Sequence, residues 1–196
     1  HWQVELDELE KLVPKELEID LFNGKPWVSV VAFTMEKIRL KNLPSFSPIS
    51  NFNEINIRTY VKGNNKTGVY FLSIEGGTNL SCKVAKVISE LPYRYSKIKR
   101  TKNQYKSSNL KFNDHLNIEF SIGAKIKNKD SLDKWINEFE IHHLEWPIEK
   151  VDLKKLNFNY SRFDKLIKNQ PNRTQYSKGV KVIAWGKVKN KKTDKK

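Results

Sequence analysis

One predicted strand carries four polar side chains at alternate positions: Glu54, Asn56, Arg58 and Tyr60. Alternate residues of a β-strand lie on the same face, so a carboxylate, an amide, a guanidinium and a phenol are expected side by side. Such a set can bind an anion or transfer a proton. Two interpretations stay open. The face lies in water, where Glu54 and Arg58 form a surface ion pair, or it lines an enclosed space, where the two charges need each other or a ligand.

Two adjacent histidines, His142 and His143, are a possible start of a metal site. Neighbouring residues of a strand point to opposite faces, and a zinc site needs three or four ligands that converge. We therefore expect no metal, with one histidine packed against Trp146 and the other exposed. His143 is kept as a candidate for lining a cavity.

The sequence does not indicate nucleophilic catalysis or a bound cofactor. Ser73, Ser81 and Cys82 lack a nucleophile elbow and a neighbouring base. The chain contains neither a phosphate-binding loop nor a dinucleotide fingerprint, so we expect no cofactor.

The elements before the polar strand are predicted from periodicity and turn residues. A short helix is expected over 5–13, ended by Pro14. Alternation over 16–22 and an apolar run over 27–35 predict two strands, and Asn23-Gly24 between them is a strong hairpin signal.

The polar strand itself is predicted over 54–62, after a loop over 41–52. A turn at 63–68 leads into a strand over 69–75, which gives a second hairpin. A helix is expected over 78–91. Its buried face is predicted to contain Leu80, Val84, Val87 or Ile88, and Leu91.

The remaining elements complete an α+β domain. Strands are predicted over 93–100 and 116–126, and a helix over 131–139 with Ser131 as its N-cap. Two further segments, 139–146 and 180–188, are expected to be extended. This pattern favours one domain over 1–186, an antiparallel β-barrel that is closed or nearly closed, with a few short helices packed outside.

Positive charge is concentrated in two segments of this chain, whose net charge is +15. Residues 94–111 contain seven basic residues and no acid, and 187–196 contain six lysines against Asp194. The second segment is too polar to pack and is expected to be a disordered tail. Nucleic-acid or anionic-surface binding is the alternative function, but a solvated lysine-rich surface is the favoured interpretation.

Composition also indicates the cellular compartment of the protein. The chain has no apolar run of the length that spans a bilayer, and its single cysteine excludes an internal disulfide. It begins at His1 without a methionine, and no signal peptide is visible. We expect a cytoplasmic protein without membrane contact, and oligomerisation is left open.

Several segments together resemble the acetoacetate decarboxylase superfamily and, within it, the YqjF-like domain-of-unknown-function family. The Leu-Val-Pro and Leu-Glu-Ile-Asp pattern of 9–20 is similar to the entry motif of the superfamily. The segments 53–61, 68–73, 91–93 and 140–147 are similar to successive motifs of the YqjF-like branch. The resemblance implies a β-barrel that encloses a cavity.

The resemblance also places residues of this chain at the positions of the decarboxylase's chemistry. That enzyme forms an imine through a lysine after a proline, with a second lysine beside it. Here the proline is Pro92, and the two lysine positions hold Tyr93 and Arg94. Tyrosine forms no imine and arginine is not a nucleophile at neutral pH. Lys97, four residues on and expected on the same strand face, is the nearest lysine.

The resemblance implies two glutamates near that lysine, and this chain retains one of them. The resemblance implies that Glu54 faces position 93, whereas a second family glutamate corresponds to Ser29. We therefore expect a protein that binds a small anionic or carbonyl-containing molecule in its cavity without imine chemistry. In this hypothesis Arg58 and Arg94 hold the anionic group and Glu54 serves as acid, base or polar anchor.

Overall fold

The computed structural model describes residues 1–39, 47–63, 66–141 and 146–181. Within them, strands form two sheets and helices lie at the connections between strands. None of the described helices has the length and apolar character needed to cross a membrane.

The first sheet is built around β4, the strand that carries the polar side chains. Its hydrogen-bonded order is β1-β3-β4-β5-β6, and β2 also pairs with β4. The pairs are antiparallel except β5 and β6, which run parallel. The strands are β1 (Trp2–Gln3), β2 (Glu18–Ile19), β3 (Trp27–Met35), β4 (Phe52–Gly63), β5 (Lys66–Gly76) and β6 (Tyr93–Tyr95).

The second sheet is an antiparallel meander in the order β11-β10-β9-β8-β7. Its strands are β7 (Lys97–Arg100), β8 (Gln104–Asn109), β9 (Asp114–Lys125), β10 (Glu149–Asn159) and β11 (Gln175–Tyr176). The helices are α1 (Leu6–Glu10), α2 (Ser47–Ser50), α3 (Asn79–Ser89), α4 (Ser131–Ile141) and a 3-10 turn at Ser161–Phe163.

The predicted α+β class is confirmed, but a closed antiparallel barrel is not shown. Among the described residues the strand pairing forms two separate sheets instead of one ring. The parallel pair of β5 and β6 also departs from the expected antiparallel arrangement. Because α3 connects these two strands, the chain crosses back over the sheet before it returns in the same direction.

The main hydrophobic core lies between the sheets and follows from alternation along β4. Ile55, Ile57 and Val61 point inwards from the first sheet. Tyr105 and Leu116 belong to the same buried cluster from the second sheet. The polar residues of β4 therefore lie on its other face, away from this core.

The tight turn at 22–25 forms, but the hairpin predicted around it does not. Asn23 and Gly24 have φ of 50° and 73°, and Phe22 and Lys25 form an isolated bridge. Beyond the turn, β2 and β3 each pair with β4 instead of with each other. The turn residues determine the local chain reversal, whereas pairing is decided by the buried central strand.

The predicted buried face of α3 is wrong. Leu80 and Val87 are 51% and 80% exposed, and the buried residues are Ser81 and Cys82. The helix lies so close to β5 that a Cβ on Gly76 would be 2.5 Å from the Cys82 Sγ. Only small side chains fit at this distance, so packing overrides hydrophobic periodicity.

Several later boundaries also differ from the prediction. The cap of α4 is Asp130, whose carboxylate accepts a hydrogen bond from the backbone N–H of Asp133 at 2.8 Å, and not Ser131. The helix continues to Ile141, so residues 139–141 are not extended. Strands β8 and β10 were not predicted. The extended segment at 180–188 and the basic tail lie almost wholly outside the described residues.

A buried carboxylate joins the two sheets. Glu75 of β5 is 1% exposed and accepts four hydrogen bonds. The donors are Arg94 Nη2 at 2.6 Å, Ser96 Oγ at 2.8 Å, the Tyr160 hydroxyl at 3.1 Å and Ser107 Oγ at 3.3 Å. Because these donors come from β6, the linker to β7, β8 and the end of β10, Glu75 holds both sheets together.

Arg94 connects Glu75 to a second buried carboxylate. Its Nη1 lies 3.5 Å from Asp114 Oδ2, and Arg162 Nη2 lies 3.3 Å from the same oxygen. The Arg94 guanidinium also stands over the Phe112 ring at 4.7 Å from the centroid. Arg94 is thus held by two acids and an aromatic ring inside the protein.

We expect Arg94→Met to lower the free energy of unfolding by about 3–5 kcal/mol, because it leaves Glu75 and Asp114 buried without their shared cation. Urea unfolding measures the change. Lys154→Met is the control, since its pair with Asp152 is exposed and contributes under about 1 kcal/mol. Equal effects of the two substitutions would contradict the role given to Arg94.

Candidate functional site

The polar face of β4, defined here by Glu54, Asn56 and Arg58 with the neighbouring Ser29 and Tyr93, is buried. Glu54 and Asn56 are 2% and 3% exposed, and Arg58 is half-buried. The interpretation that this face lies in water does not hold, because the face is covered. It lies on the side of the first sheet away from the main core, and its lining of an enclosed cavity stays a prediction.

An aromatic group on α4 covers one end of this face. The Tyr60 ring meets Trp135 at 4.5 Å and Phe139 at 4.8 Å between centroids. Trp27 belongs to the same buried cluster. This packing explains why Tyr60 is fully buried although it shares its strand face with charged residues. Burial raises the pKa of its phenol to about 12.

Strand register brings Tyr93 to Glu54. Glu54 lies opposite Gly76 of β5. Tyr93 of β6 lies opposite Ile74, which is two residues before Gly76 on β5 and therefore on the same face of the sheet. Since Gly76 has no side chain, the Tyr93 ring can reach across, and its hydroxyl donates to Glu54 Oε2 at 3.1 Å. The structure therefore places position 93 against Glu54, as the resemblance implies.

The pKa of the Glu54 carboxyl lies near neutral pH. Burial raises its pKa from an ordinary value of 4.5 to about 7, against the smaller lowering effects of hydrogen bonds from Tyr93 and Asn56 and the charge of Arg58. Burial and the neighbouring carboxylate also raise the pKa of Tyr93, so this phenol stays protonated and donates. A carboxyl with a pKa near 7 can give or take a proton at physiological pH.

Asn56 leaves one buried acceptor without a donor. Its side chain hydrogen bonds to Glu54, but no described residue donates to its Oδ1. A buried amide oxygen without a donor is costly, and such a group is often completed by a ligand or water.

Ser29 and Arg58 occupy directly opposite positions on β3 and β4. Ser29 Oγ lies 2.6 Å from the Tyr60 hydroxyl and 2.5 Å from His1 Nδ1. Burial lowers the pKa of Arg58, although a guanidinium remains charged at neutral pH. His1 is a member of this group that sequence reasoning missed, because its contact with Ser29 joins distant parts of the chain.

Arg94 is a correction to the predicted site. It lies opposite Glu75, whereas its neighbour Tyr93 lies opposite Ile74, so the two side chains point to opposite faces of the sheet. Arg94 binds Glu75 and Asp114 between the sheets and does not lie beside Arg58. An anionic ligand on the polar face of β4 cannot bind both arginines.

Lys97 is a second correction. The strand predicted over 93–100 is divided at Ser96, whose N–H donates to Gly76 and whose side chain binds Glu75. Lys97 therefore begins β7 of the other sheet and is exposed, instead of sharing a face with Tyr93.

His142 and His143 lie outside the described residues, so the prediction for His143 stays a prediction.

Glu75, Asp114 and Tyr160 were not singled out by sequence reasoning. The available signal was an acid at the end of the largely apolar segment 69–74, where a charged residue in a buried strand needs partners. Two surface depressions, of about 280 and 390 Å³, lie elsewhere and include none of Glu54, Asn56 or Arg58. The enclosed cavity stays a prediction.

Comparison with known proteins confirms the YqjF-like resemblance. The model of the family DUF2071, described as an uncharacterized conserved protein, matches residues 1–181. The uncharacterized protein YqjF of Bacillus subtilis (strain 168) is 31% identical over 173 residues, with 78% of this chain and 72% of YqjF covered.

Solved structures show a similar fold at low sequence identity. The enduracididine biosynthesis enzyme MppR complexed with pyruvate has a TM-score of 0.52 at 11% identity, over 84% of this chain and 76% of MppR. The same enzyme with HEPES buffer bound has a TM-score of 0.52 at 9% identity, over 84% and 74%. MppR has an acetoacetate decarboxylase-like fold, and at these identities the likeness concerns the fold alone.

The raised pKa of Glu54 predicts a pH-dependent stability that Glu54→Gln removes. The folded state retains the Glu54 proton more tightly than the unfolded chain, so the free energy of unfolding falls as pH rises from about 4.5 to about 7. The loss is on the order of 3 kcal/mol. Urea unfolding between pH 4.5 and 8 should show this decline in the wild type and not in Glu54→Gln.

The exposed Glu10 provides the control for this titration, because Glu10→Gln should keep the wild-type pH dependence. If Glu54→Gln and the wild type follow parallel curves, the carboxyl is not perturbed in the way the burial requires.

Proposed function

The chain belongs to the DUF2071 family of uncharacterized conserved proteins, and from that premise we propose that it binds a small carboxylate or carbonyl compound at the polar face of β4 without forming an imine. The observation that carries this proposal is the buried pair of Glu54 and Tyr93, in which a carboxyl with a pKa of about 7 accepts a phenolic hydrogen bond.

The side chains on this face supply complementary chemistry for such a ligand. Arg58 lies on the same strand face as Glu54 and Asn56, and its planar guanidinium matches the two oxygens of a carboxylate. The Glu54 carboxyl, when protonated, donates a hydrogen bond to a carbonyl oxygen. The Asn56 Oδ1, which no described residue satisfies, accepts from a hydroxyl, an enol or an amine.

Imine chemistry lacks its nucleophile at this face. Tyr93 stands where the superfamily's lysine is expected, and its phenol already donates to Glu54. Lys97 is exposed on the other sheet. Arg94 is bound between the sheets by Glu75. The proposal is therefore noncovalent binding, with Glu54 available for proton transfer.

The first compounds to test are small keto acids and hydroxy acids. MppR, which shares the fold, is complexed with pyruvate in one of its structures. Pyruvate and acetoacetate provide a carboxylate and a carbonyl. Lactate and 3-hydroxybutyrate replace the carbonyl by a hydroxyl that can donate to Asn56.

We expect at least one of these four acids to raise the melting temperature by roughly 5–10 °C at about 100 times its Kd. Arg58→Met should abolish the shift by removing the guanidinium. The control is Arg100→Met, which removes an arginine on β7 outside the polar face. The proposal is wrong if none of the acids shifts the wild type, or if both arginine variants respond alike.

Reduction with borohydride tests the noncovalent character separately. In the presence of pyruvate or acetoacetate, the wild type should give no adduct at a specific lysine by peptide mapping. Tyr93→Lys should give a trapped adduct at position 93, because burial there lowers the pKa of an amine that is otherwise about 10.4. A wild-type adduct specific to Lys97 would contradict the proposal, whereas scattered labelling of exposed lysines would not.

A further inference from the structure

The outer face of the second sheet carries a group of lysines that the polar face of β4 does not use. Lys97 and Lys99 of β7 and Lys106 of β8 are exposed on the side away from the core, since Ile98 and Tyr105 point inwards. We call this surface the lysine face.

Strand pairing forces two of these lysines together. Lys99 lies directly opposite Lys106 in the antiparallel pair of β7 and β8, and Lys97 is the next residue on the same face. Like charges directly opposite each other destabilise a sheet. Within the described residues none of the three lysines forms an ion pair, so their repulsion is not neutralised by the protein.

The neighbours of the lysines on this face are neutral hydrogen-bonding groups. Lys106 pairs with Asn117 of β9, which pairs with Asn157 of β10. The nearest acid along β9 on this face, Glu119, accepts from Gln104 Nε2 at 2.9 Å. The row from Lys99 to Asn157 thus contains two cations and two amides and no carboxylate.

A shallow depression of about 280 Å³ lies over these rows, lined by the three lysines together with His115, Asn117 and Asn157. Its size suits a small ligand. Lysine binds phosphate as a point charge, and the amides and imidazole add donors. Base stacking is not supported, because no aromatic side chain other than the imidazole of His115 lines the depression.

We propose that the lysine face binds a compact phosphate-bearing anion. The like-charged pair of Lys99 and Lys106 carries this inference, since a ligand with two or more negative charges relieves the repulsion that strand pairing imposes. This surface fits nucleic-acid binding, the alternative considered from the sequence, less well. Arg94 from the basic segment 94–111 is directed inwards, and the face offers no platform for bases.

Inorganic pyrophosphate is the probe, measured by isothermal titration calorimetry near physiological salt. We expect it to bind the wild type and to bind Lys99→Gln/Lys106→Gln at least about tenfold more weakly, because two charge-assisted contacts are lost. Lys15→Gln/Lys83→Gln removes the same charge from two exposed, separate positions and should leave the affinity unchanged. Oligo(dT) is titrated in parallel.

Thermal unfolding at low salt gives a second readout. Without pyrophosphate, Lys99→Gln/Lys106→Gln should melt above the wild type, because the cross-strand repulsion is removed, and saturating pyrophosphate should abolish this difference. The proposal fails if pyrophosphate does not bind, if both double variants weaken it equally, or if only oligo(dT) depends on Lys99 and Lys106. It also fails if removing the lysine pair does not stabilise the free protein.

Discussion

The buried carboxylate of Glu75 is the constraint on which the arrangement of the site depends. A carboxylate between two sheets must be compensated, and Arg94 supplies the cation at 2.6 Å. Because Arg94 points inwards from β6, its neighbour Tyr93 must point outwards. The ion pair between the sheets therefore determines that position 93 faces Glu54, on the opposite side of the same sheet.

Alternation divides the polar residues of the first sheet into two groups with different roles. The inward group of Glu75 and Arg94 forms hydrogen bonds and ion pairs that join it to the second sheet, through Asp114 of β9 among others. The outward group contains a carboxyl of raised pKa and an amide oxygen that no described residue satisfies. The inward group thus joins the two sheets, whereas the outward group holds the carboxyl that titrates near neutral pH.

The sequence predicted the outward group better than the inward one. Alternation along β4 is regular, so the shared face of Glu54, Asn56 and Arg58 followed from spacing alone. The inward direction of Arg94 did not, because β6 has only three residues and its phase depends on Glu75. Strands β8 and β10 were missed since their exposed faces carry lysines and amides. The buried face of α3 depends on its close approach to Gly76, which periodicity cannot reveal.

Tyrosine at position 93 influences the electrostatics around Glu54. A lysine there would, in its protonated form, lower the pKa of the Glu54 carboxyl. The phenol instead donates a hydrogen bond without a charge, so burial remains the dominant influence and the pKa of Glu54 stays near 7. With tyrosine at this position, the Glu54 carboxyl is itself the group that titrates near neutral pH. Any proton transfer at this face is then a property of Glu54, with Tyr93 orienting the carboxyl.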